Sequence, residues 1–213
     1  MTPKKAGTPI RFGLVGCGRI SQTHLQAIEV LKDYCQLKAV VDVREEAAAS
    51  VANQYGCKAY TDYRRLLDGD QIDAVIISTP PNTHAEIASY FLENKKPVLC
   101  EKPLATTIAD AKMMVDKAAD NDVLLMMASK YRYVADTIKA KGIVESGILG
   151  EIILFENVFC GKVDMRDRWN ASREVGGGGV IVDNGCHSVD IARFLMGPIE
   201  KVQAAEGKRV QKL

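Results

Sequence analysis

The sequence predicts an α/β chain with a doubly wound parallel sheet, and three observations carry that reading. Unbroken apolar runs alternate with helix-length stretches through the first 129 residues. Strands of a parallel sheet, buried on both faces, read this way. The first run, IRFGLV, ends at Gly16 in a glycine turn that leads into a helical pattern. After about residue 130 the texture changes to one long strand-like run, an irregular segment and a last helix, as at the start of a second, α+β domain.

In chain order, a strand at 10–15 precedes a helix over 19–31, and LKAVVD (37–42) precedes a polar, Ala-rich helix over 44–55. A short strand near 57–60 and a helix near 62–67 lead to DAVIIS (73–78). Pro80 and Pro81 hold the exit from that strand extended. Thr83 and Glu86 fit a capping box that opens a helix over about 83–94. PVLCE (97–101), a helix over about 106–120 and VLLMMAS (123–129) complete the first part. Beyond it come a helix over about 134–146, EIILFENVF (151–159) as a partly alternating strand, a helix over about 184–196 and the strand-like IEKVQAAE. The expected domains are residues 1–129 and 130–213.

Composition narrows the partners. The 213 residues are 47% hydrophobic with a net charge of +1, enough for a core and without a broad basic field. Nucleic acid and anionic membrane are not expected partners. Six cysteines lie far apart, without a C-x-x-C pair or metal-ligand spacing, so they read as reduced thiols of a cytoplasmic protein and no metal site is expected. No apolar stretch of 18 residues appears and the N-terminus lacks a signal-peptide pattern.

Chemistry concentrates at strand ends. Gly16-Cys17-Gly18-Arg19-Ile20-Ser21 follows the first strand and opens the first helix. In that context G-x-G-x-x-G/A means dinucleotide binding: Gly16 permits the turn, Gly18 admits the pyrophosphate, and the helix N-terminus faces its charge. Ser21 stands at the third position, where Gly or Ala is usual. Asp42 ends the second strand, placed to accept from the ribose 2′-hydroxyl and repel a 2′-phosphate, which favours NAD over NADP. Arg44 argues for NADP, and Asp42 also suits a helix cap. Glu101-Lys102-Pro103 ends another strand, on the side of the sheet where ligands bind; an amine there can hydrogen-bond a substrate oxygen and share in proton transfer.

GCGRIS, STPPNTHAEIA (78–88) and KKPVLCEKPLATT (95–107) together resemble the Gfo/Idh/MocA oxidoreductases, as do GILGEI (147–152) and GGGGVIVDNGCHSVDIARFLMG (176–197). The resemblance covers almost all of residues 10–205. It implies a cofactor domain followed by a substrate-binding and oligomerisation domain with a mostly antiparallel sheet. It also implies Lys102 as the catalytic lysine, and Asp183 with His187 as a second-domain pair in which His187 takes the hydroxyl proton. Asp183 and His187 are four residues apart, so one helix would point both to one side; His187 equally shares a stripe with Ile191 and Leu195, as a core histidine would.

The expected cofactor contacts are Gly16, Gly18, Arg19, Ile20, Asp42, Arg44, Thr79, Pro80, Asn82, His84, Glu101 and Lys102. Substrate contacts are expected from Lys102, Arg132, Arg168, Trp169, Asp183 and His187. The implied activity is NAD-dependent oxidation of a secondary alcohol of a sugar, sugar derivative or cyclitol by a homo-oligomer. The alternatives are an inactive dinucleotide-binding scaffold and a glycoside hydrolase or lyase that uses NAD transiently. The chain ends sooner than the second domain of such enzymes, as a fragment would or a short protein that completes its sheet with another chain.

Overall fold

The structure is a computed structural model that describes residues 7–69, 71–161, 164, 172–205 and 207. The chain divides after Ala128 into two compact units. The first holds six strands: β1 (Ile10–Val15), β2 (Cys35–Val41), β3 (Lys58–Tyr60), β4 (Ala74–Ile77), β5 (Val98–Cys100) and β6 (Leu125–Met127). All are parallel, in the order β3-β2-β1-β4-β5-β6. Helices α1 (Ser21–Val30), α2 (Glu45–Tyr55), α3 (His84–Glu93) and α4 (Ile108–Asp120) supply crossovers between them.

Successive strand residues face opposite sides, so an apolar run without interruption serves two cores. Val75 and Ile77 of β4 pack with Phe91 and Leu92 of α3 and Met114 of α4. Ile76 between them packs with Leu25 and Ile28 of α1 and Val51 of α2. Leu14, Leu25, Phe91 and Leu92 are fully buried, each contributing roughly 1.5–3 kcal/mol of transfer free energy. Thr107 caps α4 by accepting from the Asp110 amide, and Gly56 ends α2 at a positive φ of 63°.

Two local expectations are corrected. The segment expected as a helix near 62–67 is a 3-10 turn over Tyr63–Leu67, capped by Asp62. The Thr83–Glu86 capping box does not form. A 3-10 turn, Pro81–Thr83, runs directly into α3 with Thr83 already helical, so its hydroxyl donates to the Pro80 carbonyl at 2.8 Å. Glu86 accepts instead from the Tyr63 hydroxyl.

The second unit contains a 3-10 turn at Lys130–Tyr133, α5 (Ala135–Glu145), the short α6 (Arg173–Gly176) and α7 (Gly179–Asp183), and α8 (Gly185–Met196). Among its described residues there is no strand, so the expected antiparallel sheet is absent there. EIILFENVF is not a strand, and Ile153 is 94% exposed. Alternation alone cannot make a strand; backbone partners must close the ladder.

Candidate cofactor and active site

Strand order reverses between β1 and β4, and ligands of open α/β sheets bind beyond the carboxyl ends of the strands at such a point. Gly16 adopts φ +96°, and a Cβ on it would stand 2.7 Å from the carbonyl carbon and oxygen of Ser78. Only glycine lets β1 turn this close to β4. The Ser78 hydroxyl donates to Gly16 O at 2.8 Å, and the Gly16 amide donates to Val41 O at 2.7 Å. Gly18 differs: among the described residues, nothing lies within 4 Å of a Cβ built there. The protein itself therefore does not require glycine at this position, which suits an outside group approaching the backbone. Ser21, the unusual third residue, is fully buried and donates to Gly18 O at 2.5 Å, closing the turn rather than crowding it. Arg19 and Ile20 are exposed beside it.

Asp42 sits just past β2. Its Oδ2 accepts from the Cys17 amide at 2.9 Å, and its Oδ1 accepts from the Arg44 amide and Nε. Burial acts to raise the Asp42 carboxyl, but the Arg44 and Cys17 amides and the Arg44 guanidinium outweigh it and hold it below the usual carboxylate range. The site thus presents an ionised carboxylate with lone pairs left for a hydroxyl. Arg44 is engaged by that same carboxylate. Burial, with the Asp42 charge, pushes the Cys17 thiol up to about 12, so this cysteine is no nucleophile.

Beyond β4, Thr79 and Pro80 are half-buried and Asn82 is exposed. His84 at the start of α3 is fully buried, its Nε2 2.9 Å from Thr79 O and its Nδ1 3.0 Å from Pro103 O. Its ring lies between the chain leaving β4 and the chain leaving β5. Past β5, Glu101 is buried and accepts from His24 Nε2 at 2.8 Å through Oε1. Its Oε2 accepts from the Lys102 amide at 3.1 Å. Burial works to raise the Glu101 carboxyl; the His24 hydrogen bond and the Lys102 amide and charge overcome this and lower it. Lys102 is half-buried.

Sequence reasoning missed His24. The usable signal is its place on the inward stripe of α1, between Ser21 and Leu25, where a titratable side chain needs a partner.

In the second unit the helix expected to carry both Asp183 and His187 breaks at Asn184. Asp183 ends α7 and His187 lies in the first turn of α8. His187 is buried, edge-on to Tyr131 with ring centroids 5.0 Å apart and tilted against Phe159. Arg132 binds Asp190 of α8 through Nε and Nη2 and stacks over Phe194. Arg168 and Trp169 lie outside the described residues.

The chain matches the model for an oxidoreductase family with an NAD-binding Rossmann fold, GFO_IDH_MocA, over residues 10–129. The chain belongs to the Gfo/Idh/MocA family. Residues 137–212 match a GFO/IDH/MocA C-terminal domain. Among the family's characterised members, levoglucosan dehydrogenase of Pseudarthrobacter phenanthrenivorans is 30% identical over 92% of this chain and 53% of its own length. Myo-inositol 2-dehydrogenase of Thermotoga maritima is 31% identical over 92% of this chain and 58% of its own. The crystal structure of the WlbA dehydrogenase from Bordetella pertussis, in complex with NADH and UDP-GlcNAcA, superposes with a TM-score of 0.82 at 31% identity, covering 89% of this chain and 56% of that one. The chain spans about half the length of the Gfo/Idh/MocA relatives it matches.

Proposed function

We propose that the chain belongs to an NAD-dependent dehydrogenase that oxidises a secondary alcohol of a sugar, sugar derivative or cyclitol to the ketone. The observation that carries this reading is the open backbone at Gly18 beside the ionised Asp42 at the sheet's switch point. Residues 1–129 form the cofactor domain in this reading, and residues 130–213 are part of a substrate-binding and oligomerisation domain. The α1 N-terminus and the open backbone at Gly18 face the pyrophosphate, with Arg19, Ile20, Thr79, Pro80 and Asn82 around the cofactor. Asp42 accepts from the adenosine ribose and repels a 2′-phosphate; with Arg44 held by Asp42, NAD is preferred over NADP.

When bound, NAD supplies the acceptor for the hydride that leaves the carbinol carbon. Lys102 Nζ holds the reacting hydroxyl oxygen, and His187, supported by Asp183, takes the hydroxyl proton as the C=O bond forms. Arg132, Arg168 and Trp169 belong to the substrate side. The relatives' names support the substrate class: levoglucosan and myo-inositol are polyhydroxylated rings. EIILFENVF becomes a strand of the antiparallel sheet once paired, and its exposed Ile153, Leu154 and Val158 favour homo-oligomerisation. The six free cysteines fit a reducing cytoplasm.

Calorimetric titration of wild type and Asp42→Ala with NAD and NADP tests the cofactor half. Wild type prefers NAD. The variant loses roughly tenfold or more in NAD affinity, the worth of a charge-assisted hydrogen bond, and its preference narrows. An unchanged preference would refute the role of Asp42, and no binding of either by folded wild type would refute the reading. Lys102→Met keeps NAD affinity and loses at least about tenfold in turnover.

A further inference from the structure

We propose that His24 is a positioning residue of this reaction, holding Lys102 through Glu101; the inference rests on the function proposed above. The Glu101 carboxylate is acceptor-only when ionised, so His24 Nε2 is the donor in their 2.8 Å contact. With Oε1 taken by His24, Oε2 is aimed at the Lys102 amide, which donates to it at 3.1 Å. On the other side of Lys102, the Pro103 carbonyl lies 3.0 Å from His84 Nδ1. The residue before the lysine, Glu101, is therefore held from outside its own loop by α1, and the carbonyl after it, that of Pro103, faces the His84 ring of α3.

Stability alone is a poor explanation for the pair. Removing a carboxylate and an imidazole from water costs more than packing apolar side chains of similar volume, and buried pairs are often replaceable without loss. The side chains of His24 and Glu101 are 14% and 11% exposed, so that cost applies here. What an apolar pair cannot do is orient the next peptide unit. The helix bearing His24 is also the one that opens at the Gly16–Gly18 turn, so the end facing the cofactor and the brace on the lysine share one rigid element. A reacting group held this way keeps its geometry, and a displacement near 1 Å costs on the order of a hundredfold in rate.

The test compares His24→Ala with His24→Gln, whose amide nitrogen can take the place of Nε2, in the full chain. Three readouts are taken: amide hydrogen exchange at Lys102 without cofactor, calorimetric NAD affinity, and NADH formation with levoglucosan or myo-inositol as probe. Alanine speeds Lys102 exchange at least about tenfold and lowers kcat at least about tenfold, with NAD affinity within about twofold; glutamine recovers both to within about threefold. If alanine unfolds the chain, His24→Gln and Glu101→Gln carry the test. Glutamine at 24 then stays near wild type, glutamine at 101 lowers kcat, and the double variant falls no further than Glu101→Gln. Unchanged exchange and kcat in His24→Ala overturn the inference alone. So does a glutamine variant as impaired as alanine. A folded wild type that neither binds nor reduces NAD overturns the function and this inference together.

Discussion

His84 shows how one side chain can carry more hydrogen-bond geometry than one protonation state satisfies. Both ring nitrogens face carbonyl oxygens, Thr79 O and Pro103 O. A neutral imidazole has one N–H, so it bonds one of them; the imidazolium would bond both. Burial opposes the charged ring and prevails over the two carbonyls and the Glu101 charge, so His84 is held below its ordinary 6.5. The sign follows from proton counting. Below about pH 6.5 the unfolded chain takes a proton here that the folded chain refuses, so this residue's contribution is full above that pH and falls as pH drops towards the folded value. One proton sets a limit of about 1.4 kcal/mol per pH unit. Urea midpoints of wild type and His84→Gln, measured at pH 5.5 and 7.5, are expected to show the wild type losing more on acidification. Parallel losses would mean that His84 does not titrate in this way.

At the scale of the element, the glycine turn between β1 and α1 separates into two functions. Gly16→Ala meets both a positive φ and a backbone contact of 2.7 Å, and is expected to destabilise the first unit by at least about 2 kcal/mol. Gly18→Ala meets no described atom, so stability stays within about 0.5 kcal/mol while NAD affinity falls at least about tenfold. Denaturant melts and calorimetric titrations of the two variants check the pair; equal behaviour would refute the distinction. The sheet to which this turn belongs was legible in the sequence because parallel strands buried in two cores read as apolar runs; those runs became strands, as did the short, largely exposed strand expected near 57–60. Asp42 at the end of β2 and the Glu101–Lys102 pair at the end of β5 were legible for the same reason, as strand ends. Helix starts were less so: the Thr83–Glu86 spacing is right, but the preceding 3-10 turn and the distant Tyr63 hydroxyl took both partners. His24 escaped because its partner is 77 residues away. The 151–159 run shows the opposite failure, since alternation names a strand without supplying its neighbour.

For the molecule as a whole, the apolar core lies almost entirely in the first unit. Of the buried apolar side chains, Ile191 is the one beyond Ala128 among the described residues. The second unit instead exposes Ile148, Leu149, Ile153, Leu154, Val158, Val180 and Ile181. Cooperative melting requires a packed core, so the two units differ in what they can contribute to a calorimetric transition. Unfolding enthalpy near 60 °C is roughly 0.7 kcal/mol per residue. A transition confined to the roughly 120 described residues of the first unit is then worth about 85 kcal/mol, and one involving the whole chain about 150 kcal/mol. Scanning calorimetry of the 213-residue chain is expected to give a single transition near the smaller value. NAD at a hundred times its dissociation constant adds about 2.7 kcal/mol to the state that binds it, which raises the midpoint by roughly 10 °C. A transition near the larger value would mean that the second unit melts together with the first, and exposure of its apolar residues would then be a poor guide to its cooperativity. A midpoint unmoved by NAD, at the smaller enthalpy, would leave the fold assignment standing and remove the cofactor from it.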